Sequence, residues 1–361
     1  MMTPAIAAHP DQVDAAWLTQ ALRAAGVIGD ATVTTATAKA VGNGLVGDSF
    51  RFSLTYDRAV PGAPASVVGK FPAADPSSRS SGAALSLYLR EVSFYRELAG
   101  SVGIITPRPW FAQIDPATQD FTLILEDLGP ARAGDQLTGC SLEDAGTAML
   151  EAAALHAPRW GDPALEQLAW LNSRDTTVTP ILSMLPPVIA AFKDRYAGQL
   201  EPEFMAVVDR LPAAMTGYNA DRSFPLTVQH GDFRLDNILF DIQGGTRRMG
   251  TLDWQTVTLG AGLTDVSYFL SAGLPVELRR QNERDLVDRY HDELLRLGVR
   301  DYGRDQCWRD YQRTGLHGVF MGVFSAIAVE RTERGDALFL TMTRGACAQA
   351  LDHDTFGFWN A

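Results

Sequence analysis

The chain has 361 residues, of which 46% are hydrophobic and 20% are charged. This composition supplies ample apolar material for a core and excludes wholesale disorder. The 31 Lys and Arg residues against 43 Asp and Glu give a formal net charge of −12. A basic nucleic-acid-binding surface is therefore not expected as the main functional feature.

The cysteines and the apolar segments exclude three further classes. Cys140, Cys307 and Cys347 are odd in number and far apart, with no CxxC, so neither a disulfide framework nor a Cys-based zinc site is expected. The N-terminus shows no secretory signal pattern. The most apolar segment, 315–329, is too short to span a membrane. We expect a cytoplasmic protein that binds neither membrane nor nucleic acid.

The first part of the chain alternates helix and strand signals. Phe50, Phe52, Leu54 and Tyr56 fall on one side of a strictly alternating pattern, which predicts a half-buried strand. With periodicity and turn residues, we predict a helix at 11–25 capped by Asp11, strands at 49–56, 66–71 and 121–125, a loop at 72–82 and a helix at 84–98.

The rest of the chain is predicted to be mainly helical. One hairpin is expected near 238–253, with its turn at Gly244-Gly245. The predicted fold class is therefore α+β: an N-terminal antiparallel-sheet lobe at 1–128, a connector near 126–130, and a larger helical lobe at 129–361.

Residues 42–47, GNGLVG, match the pattern G-x-G-x-x-G. A dinucleotide-binding site needs a helix after these glycines, whereas here the strand 49–56 follows. A glycine turn between two strands is instead typical of a loop whose amides cover nucleotide phosphates. A plain hairpin turn remains the alternative.

Lys70 and Glu91 are charged residues on faces that are predicted to be buried. Lys70 lies inside the strand 66–71, and Glu91 lies on the apolar stripe of the helix 84–98, whereas Glu97 falls off that stripe. A buried charge needs a partner, so the two are predicted to form an ion pair. The alternative is that both side chains reach solvent at the edges of their elements.

The strongest signal is the run 230–241, HGDFRLDNILFD, which contains H-x-D-x-x-x-x-N. This spacing is typical of phosphoryl-transfer loops, in which the aspartate accepts a hydroxyl proton and the asparagine binds magnesium. Asp232 and Asn237 suit these roles. The predicted hairpin returns Asp253 beside Asn237, which adds the second oxygen ligand that Mg²⁺ prefers.

Neighbouring residues are given supporting roles. Arg234 would neutralise charge on the transferring phosphate, or else pair with Asp236. We expect Asp265 to anchor the catalytic loop, His230 to orient that loop, and His156 to be a packing or capping residue.

The motifs HGDFRLDNILFD, LDWQ and LILEDLGP, with the Lys70/Glu91 pair, resemble the aminoglycoside phosphotransferase and choline kinase superfamily. The closest similarity is to the ecdysteroid-kinase-like branch of the phosphotransferase enzyme family, over about residues 40–270. This resemblance implies a protein-kinase-like bilobal fold and ATP- and Mg²⁺-dependent phosphorylation of a small-molecule hydroxyl.

The resemblance also assigns residues to these roles. It implies that Asp232 is the catalytic base with Arg234 beside it, and that Asn237 and Asp253 hold Mg²⁺. The predicted ATP-binding residues are Lys70, Glu91, Gly44, Gly47, Asp48 and Ser49, together with the connector residues Glu126 and Leu128, whose main-chain atoms would contact adenine.

Departures from protein kinases favour a small substrate. Gly231 replaces the arginine of H-R-D, and Asp253 and Asp265 are too close in sequence for an activation loop. The alternatives are an aminoglycoside-type antibiotic phosphotransferase and a nucleotide-binding pseudokinase regulator, with an NAD-dependent oxidoreductase as a more remote one.

Overall fold

The computed structural model describes residues 3–42, 46–172 and 179–359. The chain divides into two compact units. The first comprises Met1–Gly100, Thr106–Gly129 and Asp253–Gln255, and the second comprises Ser101–Ile105, Pro130–Leu252 and Thr256–Ala361. The predicted boundary between residues 128 and 129 stays a prediction.

The first unit is built on a five-stranded antiparallel sheet with the order β1-β2-β3-β5-β4. The predicted strands are present, and β1 and β4 add to them. The strands are β1 (Val33–Ala40), β2 (Gly47–Tyr56), β3 (Ser66–Pro72), β4 (Pro109–Ile114) and β5 (Phe121–Glu126). Phe52 and Leu54 of β2 are buried in the core of this unit, as the alternating pattern predicts.

The helices of the first unit are α1 (Ala15–Ala24), α2 (Pro76–Ala84) and α3 (Leu87–Ser93), and α3 continues into a π-helical turn at Phe94–Leu98. The N-cap of α1 is Asp14, which accepts a hydrogen bond from Trp17 N, so the prediction of Asp11 as the cap is wrong. The predicted loop at 72–82 is also wrong. Asp75 caps α2 by accepting a hydrogen bond from Ser78 N, and Pro76 occupies the first turn, where it is tolerated.

The second unit is mainly helical, as predicted, with two small antiparallel sheets. Their strand orders are β10-β7 and β6-β8-β9, and β8 pairs with β9 as the predicted hairpin. The strands are β6 (Arg132–Ala133), β7 (Leu226–Gln229), β8 (Ile238–Asp241), β9 (Arg247–Thr251) and β10 (Thr258–Ala261).

One large apolar core of the second unit is formed by five helices, at Leu185–Arg195, Pro202–Ala220, Leu263–Gly273, Leu316–Ala328 and Glu333–Asp352. The helices of this unit are α4 (Leu142–His156), α5 (Thr179–Ser183), α6 (Leu185–Arg195), α7 (Pro202–Ala220), the single turn α8 (Ile242–Gly245), α9 (Leu263–Gly273), α10 (Val276–Arg296), α11 (Arg304–Thr314), α12 (Leu316–Ala328) and α13 (Glu333–Asp352). Among the described helices, none combines the length and apolarity that crossing a bilayer requires.

Candidate active site

In the first unit, Lys70 is held by two carboxylates. Its Nζ lies 2.5 Å from Glu91 Oε1 and 3.3 Å from Asp253 Oδ1. The Lys70 side chain is 13% exposed and that of Glu91 is fully buried. The structure therefore brings together the predicted pair and adds Asp253 to it, so neither side chain escapes to solvent.

The positions of Lys70 and Glu91 in their elements and the charges around them explain this arrangement. Lys70 lies in the middle of β3, and Glu91 lies on the buried face of α3. Burial alone would lower the pKa of Lys70, but the carboxylates of Asp253 and Glu91 outweigh it and raise the pKa. Burial raises the pKa of Glu91, while the charge of Lys70 opposes that rise. The lysine is thus kept as a fixed cation beside Asp253.

Asp253 is placed by an unusual backbone conformation and by the residue that follows it. Its φ of 63° is left-handed, which is uncommon for a residue other than glycine. Trp254 stacks on Phe94 with ring centroids 3.7 Å apart and planes 8° apart, and its Nε1 donates to Thr106 Oγ1 at 2.9 Å. This packing fixes the segment that carries the Asp253 carboxylate.

The predicted phosphate-binding segment is described only in part. Gly44 lies outside the described residues. A Cβ at Gly47 would lie 3.1 Å from the Phe71 carbonyl, so a larger residue there would crowd β3. Asp48 Oδ2 accepts a hydrogen bond from Ala74 N at 2.8 Å, and Ser49 lies opposite Lys70 in the β2–β3 register. Asp48 thus fixes the backbone at Ala74, just after β3. The nucleotide contacts of Gly47, Asp48 and Ser49 remain predictions.

The connector is held by main-chain and side-chain bonds. The Glu126 N–H donates to the Arg108 carbonyl at 2.8 Å, so this amide already has a partner within the unit. Asp127 accepts hydrogen bonds from Arg51 Nε at 2.6 Å and Ser66 Oγ at 2.7 Å, and Leu128 is buried. The adenine contacts predicted for the main-chain atoms of Glu126 and Leu128 remain predictions.

In the second unit, the Asp232 carboxylate accepts from three side chains. Tyr268 Oη donates to Oδ1 at 3.0 Å, Asn237 Nδ2 donates to Oδ2 at 2.9 Å, and Arg234 Nε lies 3.1 Å from both oxygens. The carboxylate is 17% exposed. These three donors hold the carboxylate in one orientation, which is what a proton acceptor needs.

Arg234 is committed to carboxylates on both sides. Besides Asp232, its Nη1 donates to Asp236 Oδ2 at 2.7 Å. Burial alone would lower the pKa of Arg234, but the Asp232 charge outweighs that effect and raises it. This is the pairing given above as the alternative, and it makes Arg234 a residue that positions Asp232. A contact with phosphate remains a prediction.

The loop that carries Asp232 is anchored by buried hydrogen bonds. Asp265 accepts from the backbone amides of His230 at 2.7 Å and Gly231 at 2.9 Å, and His156 Nε2 lies 3.2 Å from its Oδ2. Burial would raise the pKa of Asp265, but the hydrogen bond and charge of His156 and the amides lower it. Asp265 is therefore the loop anchor that the sequence predicts.

His230 joins the loop to the end of β9. Its Nε2 donates to the Leu252 carbonyl at 3.0 Å, and its Nδ1 accepts from the Asp232 amide at 3.2 Å. Leu252 N in turn donates to the Asn237 carbonyl at 2.8 Å. The imidazole therefore orients the loop, which agrees with its predicted role.

Gly231 is required at its position for steric reasons. Its φ is +83°, and a Cβ there would lie 2.6 Å from the Thr256 carbonyl oxygen. A contact under 3 Å with backbone cannot be relieved by a side-chain movement. The absence of the arginine of H-R-D thus follows from the path of this loop.

The two residues predicted to hold magnesium each carry an oxygen donor, Asn237 in the second unit and Asp253 in the first. The Asn237 Nδ2 donates to the main chain and the carboxylate of Asp232, so Oδ1 is the atom of this side chain that could bind a cation. Asp253 supplies a carboxylate that is 37% exposed. Within the described part of the chain, no group of three or more His, Cys, Asp or Glu is placed to hold a metal ion. Mg²⁺ commonly binds through one or two side chains and substrate phosphates, and Asn237 and Asp253 remain its predicted ligands.

Two residues of this site were missed by the sequence reasoning. Tyr268 is fully buried in α9, and burial together with the Asp232 charge raises its pKa well above the usual value. His317, in α12, donates from Nε2 to the Gly231 carbonyl at 2.8 Å. Both lie in apolar runs that predict core helices, and their spacing from the catalytic loop carries no short-range signal.

Comparison with protein families gives one match. A model of the Phosphotransferase enzyme family matches residues 78–307. This range contains Glu91 and the whole loop 230–241. No curated protein matches the sequence.

Solved structures similar to this chain include three small-molecule kinases or phosphotransferases. An aminoglycoside 2'-phosphotransferase-IIIa bound to GDP is 16% identical, with a TM-score of 0.56, covering 91% of this chain and 98% of that one. An ethanolamine kinase of Plasmodium vivax is 8% identical, with a TM-score of 0.52 and coverages of 90% and 85%. A microcompartment-associated aminopropanol kinase is 12% identical, with a TM-score of 0.50 and coverages of 94% and 99%. The shared architecture is the protein-kinase-like bilobal fold.

Proposed function

Because the chain belongs to the phosphotransferase enzyme family, we propose that it transfers the γ-phosphate of ATP to a hydroxyl group of a small molecule. The observation that carries the proposal is the Asp232 carboxylate, which is held in one orientation by Tyr268, Asn237 and Arg234. A proton acceptor with three positioned donors is what a phosphotransfer site needs, because the protein contributes mainly positioning and electrostatics.

In the first unit, Lys70 serves the nucleotide. Its ammonium group is kept charged by Glu91 and Asp253, and it is assigned to the α- and β-phosphates. Glu91 fixes the direction of Lys70 from a fully buried position. The amides around Gly47 and the glycines before it are assigned to the phosphates, and main-chain atoms of the connector residues Glu126 and Leu128 are assigned to adenine.

In the second unit, Asp232 serves the acceptor. The acceptor oxygen forms a bond to the γ-phosphorus, the bond from that phosphorus to the bridging oxygen breaks, and ADP leaves. The hydroxyl proton passes to a carboxylate oxygen of Asp232. Tyr268, Asn237 and Arg234 hold that carboxylate during the transfer.

Magnesium is assigned to Asn237 Oδ1 and the Asp253 carboxylate. When bound, Mg²⁺ neutralises charge on the β- and γ-phosphates. Asp253 also contacts Lys70, so the same carboxylate fixes the lysine and is assigned to the metal. The chain as a whole has a net charge of −12, so ATP requires a local positive charge at its site. Lys70 and bound Mg²⁺ are assigned to supply it.

The proposal is tested by following the phosphate itself. The protein is incubated with MgATP and pools of hydroxyl compounds, and ³¹P NMR detects any new phosphate monoester. We expect a monoester and stoichiometric ADP with at least one pool, only when Mg²⁺ is present. Tight MgATP binding without a monoester in any pool would favour the pseudokinase alternative.

A further inference from the structure

We propose that the acceptor is an uncharged alcohol with an aromatic or aliphatic body, bound along a row of half-buried rings on α12. This row, called the aromatic row below, consists of His317, Phe320 and Phe324. The inference rests on the proposed function, because it names the substrate class that Asp232 serves.

The aromatic row begins at the catalytic loop. His317 Nε2 donates to the carbonyl of Gly231, the residue before Asp232, at 2.8 Å. The His317 ring also meets Tyr268 edge to face at 5.3 Å, and Tyr268 donates to Asp232. A molecule lying on the row therefore has one end close to the carboxylate that accepts the proton.

The rings of the row are spaced along one side of the helix. The centroids of His317 and Phe320 are 6.3 Å apart, and those of Phe320 and Phe324 are 5.4 Å apart with planes 20° apart. Seven residues of helix span about 10 Å, which matches a body of one ring and a short alkyl chain. The adjacent face of α12, with Leu316, Val319 and Val323, is buried in the core.

The ring positions are held but not enclosed. Phe320 and Phe324 pack against the core of the unit with part of each ring and remain half-buried. Rings that are already ordered lose little conformational freedom when a ligand binds. Their exposed parts offer offset or edge contacts to an aromatic body and apolar area to an aliphatic one.

The charges beside Asp232 are already compensated. Asp236 accepts from Arg234 Nη1 at 2.7 Å, and Arg334 Nη2 lies 3.2 Å from Asp135 Oδ1 and 3.8 Å from Asp236 Oδ1. A polycationic acceptor would have to displace these guanidinium groups or be repelled by them. An uncharged acceptor leaves the pairs intact, so the local charges favour it over an aminoglycoside.

The test compares two acceptors and three variants. The probes are 4-phenylbutan-1-ol, which is uncharged, and kanamycin, which is polycationic, each assayed by acceptor-dependent ADP release with MgATP. We expect kcat/KM to be at least tenfold higher for 4-phenylbutan-1-ol. Phe320→Ala and Phe324→Ala should each raise its KM at least fivefold while the Kd for MgATP is unchanged.

The matched control is Phe358→Ala. Phe358 is also a half-buried ring of this unit and lies in the helical turn Thr355–Trp359. Its ring centroid is 5.8 Å from the guanidinium carbon of Arg309. It should leave the KM for 4-phenylbutan-1-ol unchanged. If Phe320→Ala melts at a lower temperature than the wild type, Phe320→Leu takes its place in the comparison. Leucine keeps most of the packing volume and removes the ring.

The outcomes separate this inference from the proposed function. A preference for kanamycin, or an unchanged KM in the Phe320 and Phe324 variants, overturns the inference and leaves the kinase proposal standing. The same holds if neither probe is accepted while MgATP is hydrolysed in an Asp232-dependent way. If Asp232-dependent ADP release occurs with neither probe nor water, and no pool of hydroxyl compounds gives a phosphate monoester, the proposed function itself fails.

Discussion

The hydroxyl of Tyr268 donates a hydrogen bond of 3.0 Å to Oδ1 of Asp232 from a fully buried position in α9. Because burial raises the pKa of Tyr268 far above the working range, its proton stays on the phenol. The bond therefore always runs from tyrosine to carboxylate. Tyr268 is a positioning residue that keeps Asp232 in the orientation a proton acceptor needs.

Tyr268→Phe should lower kcat about 10- to 100-fold and leave the Kd for MgATP unchanged, because a hydrogen bond to a charged group contributes about 1.5–3 kcal/mol. Steady-state kinetics with an accepted alcohol measures the first quantity and calorimetry the second. Tyr196→Phe is the matched control, since Tyr196 donates to Asp336 at 2.8 Å. Equal losses of kcat in both variants would mean that the Tyr268 bond acts only through stability.

Glu91→Gln should lower kcat/KM for ATP about 10- to 100-fold, because Lys70 loses the charge that directs it from one side. The measurement is ADP release at varied ATP. Glu97→Gln is the control, because Glu97 lies in the turn that continues the helix of Glu91 but is exposed. Its kcat/KM for ATP should match that of the wild type. A Glu91 variant as active as the Glu97 variant would contradict the role given to the ion pair.

Gly231→Ala should reduce the free energy of unfolding more than Gly245→Ala. Both glycines have left-handed φ values, +83° and +85°, so both substitutions carry a backbone penalty of about 1–2 kcal/mol. Only at Gly231 does the new Cβ meet an atom, the Thr256 carbonyl oxygen at 2.6 Å, which adds about 1–3 kcal/mol. Urea unfolding measures the free energy of unfolding of both variants. Equal losses in Gly231→Ala and Gly245→Ala would show that the loop at Gly231 moves to accommodate the Cβ at no cost.

Asp265→Asn should destabilise the protein by about 2–3 kcal/mol at pH 7, since two backbone amides lose a charged acceptor. The pKa of Asp265 is lowered by folding, so the unfolded chain binds more protons in the acid range. Its stabilisation is therefore fully present above its unfolded pKa, near 4, and is lost as the pH falls through the folded pKa.

The measurement is the difference in unfolding free energy between wild type and Asp265→Asn from pH 7 to pH 3. We expect a constant difference above about pH 5 that shrinks below pH 4. A difference that stays constant down to pH 3 would mean that the charge of Asp265 does not contribute.

Local pattern was sufficient where a charged residue interrupts a regular apolar face. Lys70 interrupts a strand and Glu91 an apolar helix stripe, so each needs a partner, and the structure pairs them. The anchoring role of Asp265 was also within reach, because it follows a loop whose amides need an acceptor. The antiparallel sheet and the helical second unit followed from the same periodicities.

Local sequence pattern did not predict the features that depend on tertiary packing. Helix α2 lies in a Ser- and Gly-rich stretch that indicates a loop, yet Asp75 caps it. Gly82 packs so close to Tyr88 that a Cβ would lie 2.6 Å from its ring, so that glycine serves packing rather than a turn. Tyr268 and His317 reach the catalytic loop across 36 and 86 residues of sequence, a relation that no short window contains.

The most direct measurement compares Asp232→Asn with the wild type at saturating MgATP. Asparagine keeps the shape of the side chain but cannot take up the hydroxyl proton, so acceptor-dependent ADP release should fall at least 100-fold. The Kd for MgATP from calorimetry should stay within about threefold, because Asp232 is assigned to the acceptor. ADP release near the wild-type rate in Asp232→Asn would contradict the account.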